Sequence, residues 1–295
     1  MMKYASTKAP LWPIFPKIFE QWNNHYVSNY QKISLKLPLS PDANHYPQAH
    51  NQTMCGRFNN HLPKMLGWAE MLGDWPEIRP SFNVAPGSKI AVFCLESSGR
   101  ICGHAMRWGI VPAWSKTFDS KYATFNARLE TVDEKPSFRS AWKHRRRCLI
   151  PMAGYYEWSA IEGKMNNAKA PQKQAFYISD PNVGGLVAAG LYEQWQGGES
   201  DTVLSSCTMI TRAADHGLDR IHGRMPVLLT PKTGRQWMNW ADDAEYESSG
   251  EFENGLAQSK QLLIDCEKPD IVYWPVDGAV GNVRNNHAGL CAAID

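Results

Sequence analysis

Cys55 has the widest chemical range in the chain, in the stretch Met54-Cys55-Gly56-Arg57-Phe58. As an internal residue it offers a thiol alone. As a first residue it carries a thiol and an α-amine on adjacent carbons. Such an amine has an ordinary pKa of about 8, so a useful fraction is neutral near physiological pH. It can condense with an aldehyde to a Schiff base, and the thiol can then close a five-membered thiazolidine ring. The alternative is a buried structural cysteine, the commoner fate of a lone Cys.

Three further stretches carry acid–base or anion-holding side chains. In Ala153-Gly-Tyr-Tyr-Glu157-Trp158 a carboxylate stands among large aromatics, where desolvation raises its pKa toward neutrality and suits it to proton transfer. The competing reading is a strand-end Glu facing water. In Asp219-Arg-Ile-His222-Gly-Arg224-Met-Pro226 the histidine is the side chain best placed for acid–base work near neutral pH. Arg224 beside it could hold a phosphate or an oxyanion. A histidine satisfied by a local backbone bond is the plainer account. In Asn126-Ala-Arg128-Leu-Glu130-Thr131, Asn126 can orient a carbonyl or an amine and Arg128 can grip a phosphate bidentately. A turn-forming Asn and a surface Arg128–Glu130 ion pair account for them equally.

Elements that could position these groups follow from the hydrophobic pattern. Apolar spacing predicts a helix over Leu62 to Leu72 and another over Pro231 to Trp240. Strands are predicted over Ser88 to Cys94, Ile101 to Ile110, Arg147 to Met152, Ala175 to Ile178, Gly185 to Leu191, Ser205 to Thr211 and Met225 to Leu229. Turn signals such as Pro86-Gly87, Gly163 and Gly197-Gly198 divide the pattern. Many short strands with few helices favour an α+β fold, one mixed domain on a strongly bent, barrel-like sheet with a few peripheral helices.

Residues 1–53 read differently. Pro38, Pro41 and Pro47 punctuate a polar, aperiodic run that predicts a flexible leader. The catalytic domain is expected over 54–295, with the leader either a mis-assigned start or a removed pro-segment. At 295 residues and 43% apolar, the chain can bury a substantial core. Its net charge of +2 excludes a strongly basic protein, but Arg100 to Arg147 holds eleven Lys or Arg against four acids, while Ala241 to Asp270 holds nine acids against two lysines. The first is either a phosphate-binding face or an ordinary solvated surface. Seven cysteines without a CxxC argue against a disulfide framework or a zinc ribbon and for a reducing, cytoplasmic setting. No metal or other cofactor is expected. No apolar run reaches the length of a membrane span.

Taken together, ordered stretches of the chain from Met54 onward resemble the SRAP family (SOS response-associated peptidase, also described as abasic-site processing proteins). They are Met54-Cys-Gly-Arg-Phe58, Phe82-Asn-Val-Ala-Pro-Gly87, Arg107-Trp-Gly-Ile-Val-Pro-Ala-Trp114, Asn126-Ala-Arg-Leu-Glu-Thr131, Arg147-Cys-Leu-Ile-Pro-Met-Ala-Gly-Tyr-Tyr-Glu-Trp158, Met209-Ile-Thr-Arg-Ala-Ala214, Ile221-His-Gly-Arg-Met-Pro-Val-Leu-Leu229 and Val280-Gly-Asn-Val-Arg284. The resemblance implies covalent capture of abasic sites in single-stranded DNA by Cys55, with Asn126 positioning the terminus and Glu157 and His222 managing protons. It implies DNA contacts at Arg57, Asn83, Pro86, Trp114, Arg128, Thr211 and Arg224. The expected partner is single-stranded DNA carrying an abasic site, met by a monomer that associates with the nucleoid. One departure stands out: in the family the reactive cysteine follows the initiator methionine, whereas here 53 residues precede Met54. If they stay attached, the α-amine is an amide and this chemistry is blocked. Self-cleavage by Glu157 and His222, a cysteine peptidase using Cys55 and His222, and a non-catalytic strand-binding module remain the competing readings.

Overall fold

The computed structural model describes residues 56–62, 65, 67–118, 123–165, 171–181, 184–197, 203–215, 217–239 and 251–294. The leader 1–53 and Cys55 lie outside them.

Five strands carry the molecule: β2 (Lys89–Leu95), β3 (Ile101–Trp108), β5 (Arg147–Met152), β8 (Leu186–Gln196) and β9 (Val203–Ala213). β2 pairs antiparallel with β3 and β5, β5 with β8, and β8 with β9. β9 then runs parallel to β3 through Arg107↔Ser206 and Trp108↔Cys207, closing the ring into a barrel without a free edge. The expected bent sheet is therefore a closed one. β4 (Asn126–Arg128) adds parallel to β9, and β10 (Arg224–Pro226) adds antiparallel to its far end.

β2, β5 and the first half of β8 are buried on both faces, which is why they read as near-continuous apolar runs, whereas β3 is largely half-buried. One alternate set, including Val92, Cys94, Trp108, Cys148, Ile150, Cys207 and Met209, fills the bore. The other, including Phe93, Leu149, Val187, Ala189 and Ile210, packs under three helices: α1 (Arg139–Lys143) through Trp142, α2 (Pro231–Asn239) through Trp237 and Met238, and α3 (Glu251–Asp265) through Leu256 and Leu263. Each such side chain removed from water contributes roughly 1.5–3 kcal/mol before entropy is counted. Arg147 joins the layers. Its guanidinium donates to Trp237 O at 3.1 Å and Ser259 Oγ at 2.7 Å, and sits 4.8 Å over the Trp237 ring.

A second sheet, ordered β1-β6-β7-β11, is built from β1 (Phe58–Asn59), β6 (Gly154–Met165), β7 (Pro171–Ser179) and β11 (Val272–Val276). Because side chains alternate across a strand, Phe58 and Tyr155 face the barrel bore, whereas Asn59, Tyr156 and Tyr177 face the other way. Gly154 lies where a Cβ would stand 2.5 Å from Tyr177 Oη and from Ile178 O. No other residue leaves room for this crossing. On that outer face Asn59 Nδ2 donates to Tyr177 Oη at 3.1 Å, and Tyr156 Oη donates to Phe82 O at 2.8 Å.

Two expectations need amendment. The helix predicted over Leu62 to Leu72 is, among the described residues, a series of turns closed by Trp68 N–H to Met65 O and Leu72 N–H to Trp68 O. Met65 at φ 47° and Gly67 at φ 82° interrupt the helical path. The basic stretch is also no single face: Arg147 is buried, Arg146 pairs with Glu193, and Arg107 Nη1 turns back to Gly109 O at 2.8 Å.

Candidate functional site

Where the second sheet crosses one mouth of the barrel, polar residues replace the apolar lining. Glu157 follows Tyr155 on the inward face of β6 and is 3% exposed. A short loop, Leu218–Arg220 and its continuation, brings His222 beside it, with Nδ1 4.0 Å from Glu157 Oε1. The loop is held by amides of Ile221 and His222 donating to Leu218 O at 2.8 and 2.9 Å.

His222 Nδ1 lies 3.2 Å from both the amide nitrogen and the carbonyl oxygen of Arg224. With a lone pair on Nδ1 it accepts from the N–H; with a proton there it donates to the carbonyl. Either tautomer therefore keeps a backbone partner at Nδ1. A buried carboxylate 4.0 Å from an imidazole sets side by side two groups of the kind that serve in acid–base chemistry.

The β4–β9–β10 ladder assembles the rest. Asn126 opposes Met209 and Arg128 opposes Thr211 on β4–β9, while Pro226 opposes Thr211 on β9–β10. Asn126 is buried on the bore side; Arg128, two residues on, reaches solvent. Arg224 forms a two-pronged pair with Glu130, Nη1–Oε1 2.6 Å and Nη2–Oε2 2.7 Å, and Nη2 also donates to Thr211 O at 2.8 Å. Burial pushes the Glu130 carboxyl up, but the Arg224 hydrogen bonds, its own backbone N–H and the charges of Arg224 and Arg128 outweigh that and hold it below its ordinary value. Glu130 thus pairs with Arg224, 94 residues away, rather than with its near neighbour Arg128.

The described chain enters the same region from its N-terminal side. Phe58↔Tyr155 begins the β1–β6 pairing, and Tyr156 N–H donates to Arg57 O at 3.0 Å, one residue before Glu157 on β6. Arg57 curls its guanidinium onto Gly56 O at 2.9 Å and Gly281 O at 3.4 Å; burial pushes that guanidinium down.

The remaining predicted residues divide by exposure. Trp114 is 59% exposed, with Nε1 donating to Pro136 O at 3.0 Å. Core packing, its plainer reading, does not describe it. Pro86 precedes Gly87, whose φ of 90° and N–H to Trp108 O make the sharp turn into β2. Thr211 and Asn83 are buried. Asn83 Nδ2 donates toward three carbonyls, Val280 and Asn282 at 3.1 Å and Asn285 at 3.0 Å. The structure brings Glu157, His222 and Arg224 together and sets Asn126 on the adjoining ladder, while the side chains of Thr211 and Asn83 are buried against backbone carbonyls. Among the described residues no three His, Cys, Asp or Glu side chains are grouped to hold a metal ion, and no helix is long and apolar enough to cross a membrane.

A closed five-stranded barrel whose mouth holds a buried carboxylate–imidazole pair, with the first described strand laid beside it, defines a class of mixed α+β proteins. Residues 54–283 match the family described as SOS response associated peptidase (SRAP), and the chain belongs to that family. It is 32% identical over 243 residues to the abasic site processing protein YoqW of Bacillus subtilis (strain 168), covering 80% of this chain and 98% of that one. To the abasic site processing protein HMCES of Pongo abelii it is 29% identical over 291 residues, covering 82% and 77%. A solved structure of a protein from Bordetella bronchiseptica shares the fold, with a TM-score of 0.60 at 20% identity over 76% of this chain and 100% of that one.

Proposed function

We propose that this protein captures abasic sites in single-stranded DNA as a covalent thiazolidine formed by Cys55. The reading draws on relatives named abasic site processing proteins. One observation carries it: the buried Glu157–His222 pair lies beside the strand that leads back from Arg57 toward Cys55.

In its closed form the abasic sugar is a hemiacetal. One member of the pair takes the proton from the C1′ hydroxyl and the other delivers a proton to O4′ as the C1′–O4′ bond breaks, leaving an aldehyde. The neutral Cys55 amine adds to C1′, water departs, and an imine forms. The thiol sulfur then adds to the imine carbon while its proton passes to nitrogen. One water leaves overall and nothing is oxidised. Asn126 orients the reacting terminus. Arg57, Arg128 and Arg224 attract backbone phosphates, and Trp114 and Pro86 give an unstacked base a surface. The chemistry needs a free α-amine, so the active form begins at Cys55.

The test mixes protein starting at Cys55 with a single strand bearing one abasic site and reads a denaturing gel. A shifted band is expected, lost in Cys55→Ser and in protein whose α-amine is acetylated. Persistence in both variants rules the mechanism out; strand binding without any covalent band leaves a non-covalent binding module instead.

The same pair supports a second reading, removal of residues 1–54 by the protein itself, in keeping with the family's description as a peptidase. Intact mass of freshly made full-length protein decides it: the parent is expected to lose the segment and Glu157→Ala to retain it.

A further inference from the structure

The stretch Val280-Gly-Asn-Val-Arg284 has no part in the chemistry above, yet the fold holds it with unusual care. Asn83, 5% exposed, extends its amide to the carbonyls of Val280, Asn282 and Asn285. Asn286 Oδ1 accepts from Phe82 N–H at 2.8 Å and from Ser81 Oγ at 3.3 Å. Within the loop, Asn285 Nδ2 donates to Ala279 O at 2.8 Å and Arg284 N–H to Asn282 Oδ1 at 3.1 Å. Val280 is fully buried beneath it. This is a rigid platform, and what it presents is not structural: Val283 is 53% exposed and Arg284 is exposed beside it.

The platform also touches Arg57, two residues after Cys55 in the sequence. Gly281 O accepts from Arg57 Nη2 at 3.4 Å, Arg57 O accepts from Tyr156 N–H, and Tyr156 Oη donates to Phe82 O. The loop, the 81–83 segment and the strand leading back to Cys55 are thus one hydrogen-bonded unit. Arg284 and His287 are the basic side chains between residues 278 and 294, which contain no Asp or Glu, and the thiol of Cys291 is buried; Asp277, at the platform's base, accepts from Ala279 N–H at 2.7 Å. A cation with an apolar neighbour on a pre-ordered loop suits a phosphate and its adjoining sugar or base.

We propose that the 281–286 loop is a strand-binding arm of this site, in which Arg284 holds a backbone phosphate flanking the lesion, Val283 packs on the neighbouring nucleotide, and Asn83 is a positioning residue that sets the loop. This rests on the single strand being the substrate. Affinity for an undamaged single strand is measured against salt for the parent, Arg284→Ala, and a control that removes an equal charge from the exposed face of α2, Arg235→Ala. Loss of one phosphate contact from a single strand flattens the slope of log affinity against log salt by about 0.7. Arg284→Ala is expected to show that change with a several-fold loss of affinity, and Arg235→Ala the parental slope. An unchanged slope in Arg284→Ala, or an equal change in both variants, overturns the arm. Failure of the parent to bind any strand would instead remove the functional reading beneath it. For Asn83, the expected signature is non-additivity: Arg284→Ala made in an Asn83→Ala background that melts cooperatively costs far less than in the parent. Full additivity shows that Asn83 does not set the loop; a background that does not melt cooperatively is replaced by Asn83→Asp, which keeps the shape but cannot donate.

Discussion

Glu157 and His222 are neighbours held in different ways. The carboxylate is almost wholly out of water, while the imidazole rides on a loop whose backbone offers Nδ1 a partner in either tautomer. If the pair opens the abasic sugar, removing the titrating proton while keeping shape must slow capture without loosening the fold. Glu157→Gln is such a change. Its single-turnover crosslinking rate is expected to fall by roughly 100-fold or more, the range of one general acid–base contribution. Groups that work as a unit are not additive, so Glu157→Gln/His222→Gln is expected to be little slower than the slower single variant. A double variant slowed by the product of the two single effects would show that the two residues act on separate steps.

At the scale of elements, the β4–β9–β10 ladder is pinned by one ion pair that joins the turn after β4 to β10. Glu130 is half exposed, so replacing it by Gln is expected to cost no more than about 1 kcal/mol at neutral pH. The pH dependence is more telling. Its carboxyl titrates below the ordinary value in the folded chain, so the stabilisation is complete above the unfolded carboxylate pKa and is lost as pH falls through the folded one. Melting curves of parent and Glu130→Gln should therefore converge as the pH is lowered from 7 toward about 3; a constant gap would mean that the charge contributes nothing.

The same elements mark how far the sequence could be read. The barrel strands announced themselves: Arg147–Met152 has the predicted bounds, and β2, β3, β8 and β9 differ from prediction mainly at their ends. β6 was legible as a motif around Glu157 but not as a twelve-residue strand, because Gly163 reads as a turn. α3 was hidden by its acids and by Gly255, whose missing side chain leaves room for Arg145 Nη2, 2.8 Å from where a Cβ would be. Of the site, residue types were legible through ordered motifs, while the partner of Arg224 was not, since no local spacing links it to Glu130.

Across the whole molecule, burial sorts the thiols, and with them the selectivity that a reactive Cys55 would need. Cys94, Cys148 and Cys207 share the barrel bore, and burial pushes each thiol well up; at Cys291 burial also dominates, against hydrogen bonds from Tyr156, Tyr177 and Asn59, and raises it to about 11. Cys266 lies just beyond the end of α3 with its Sγ donating to Leu263 O, and Cys102 is half-buried on β3. Thiolates, not thiols, react with maleimides, and a buried thiol reacts only after the structure around it opens. In a Cys55→Ser protein the order of labelling under native conditions is therefore expected to be Cys102, then Cys266 as the end of α3 frays, with the three bore cysteines last and together. Peptide mass mapping over time reads that order. The bore thiols should share the rate of global unfolding, because no one of them can be exposed without parting a strand from a closed ring; labelling of Cys207 or Cys148 ahead of Cys266 would mean that the barrel opens more readily than its helical cover.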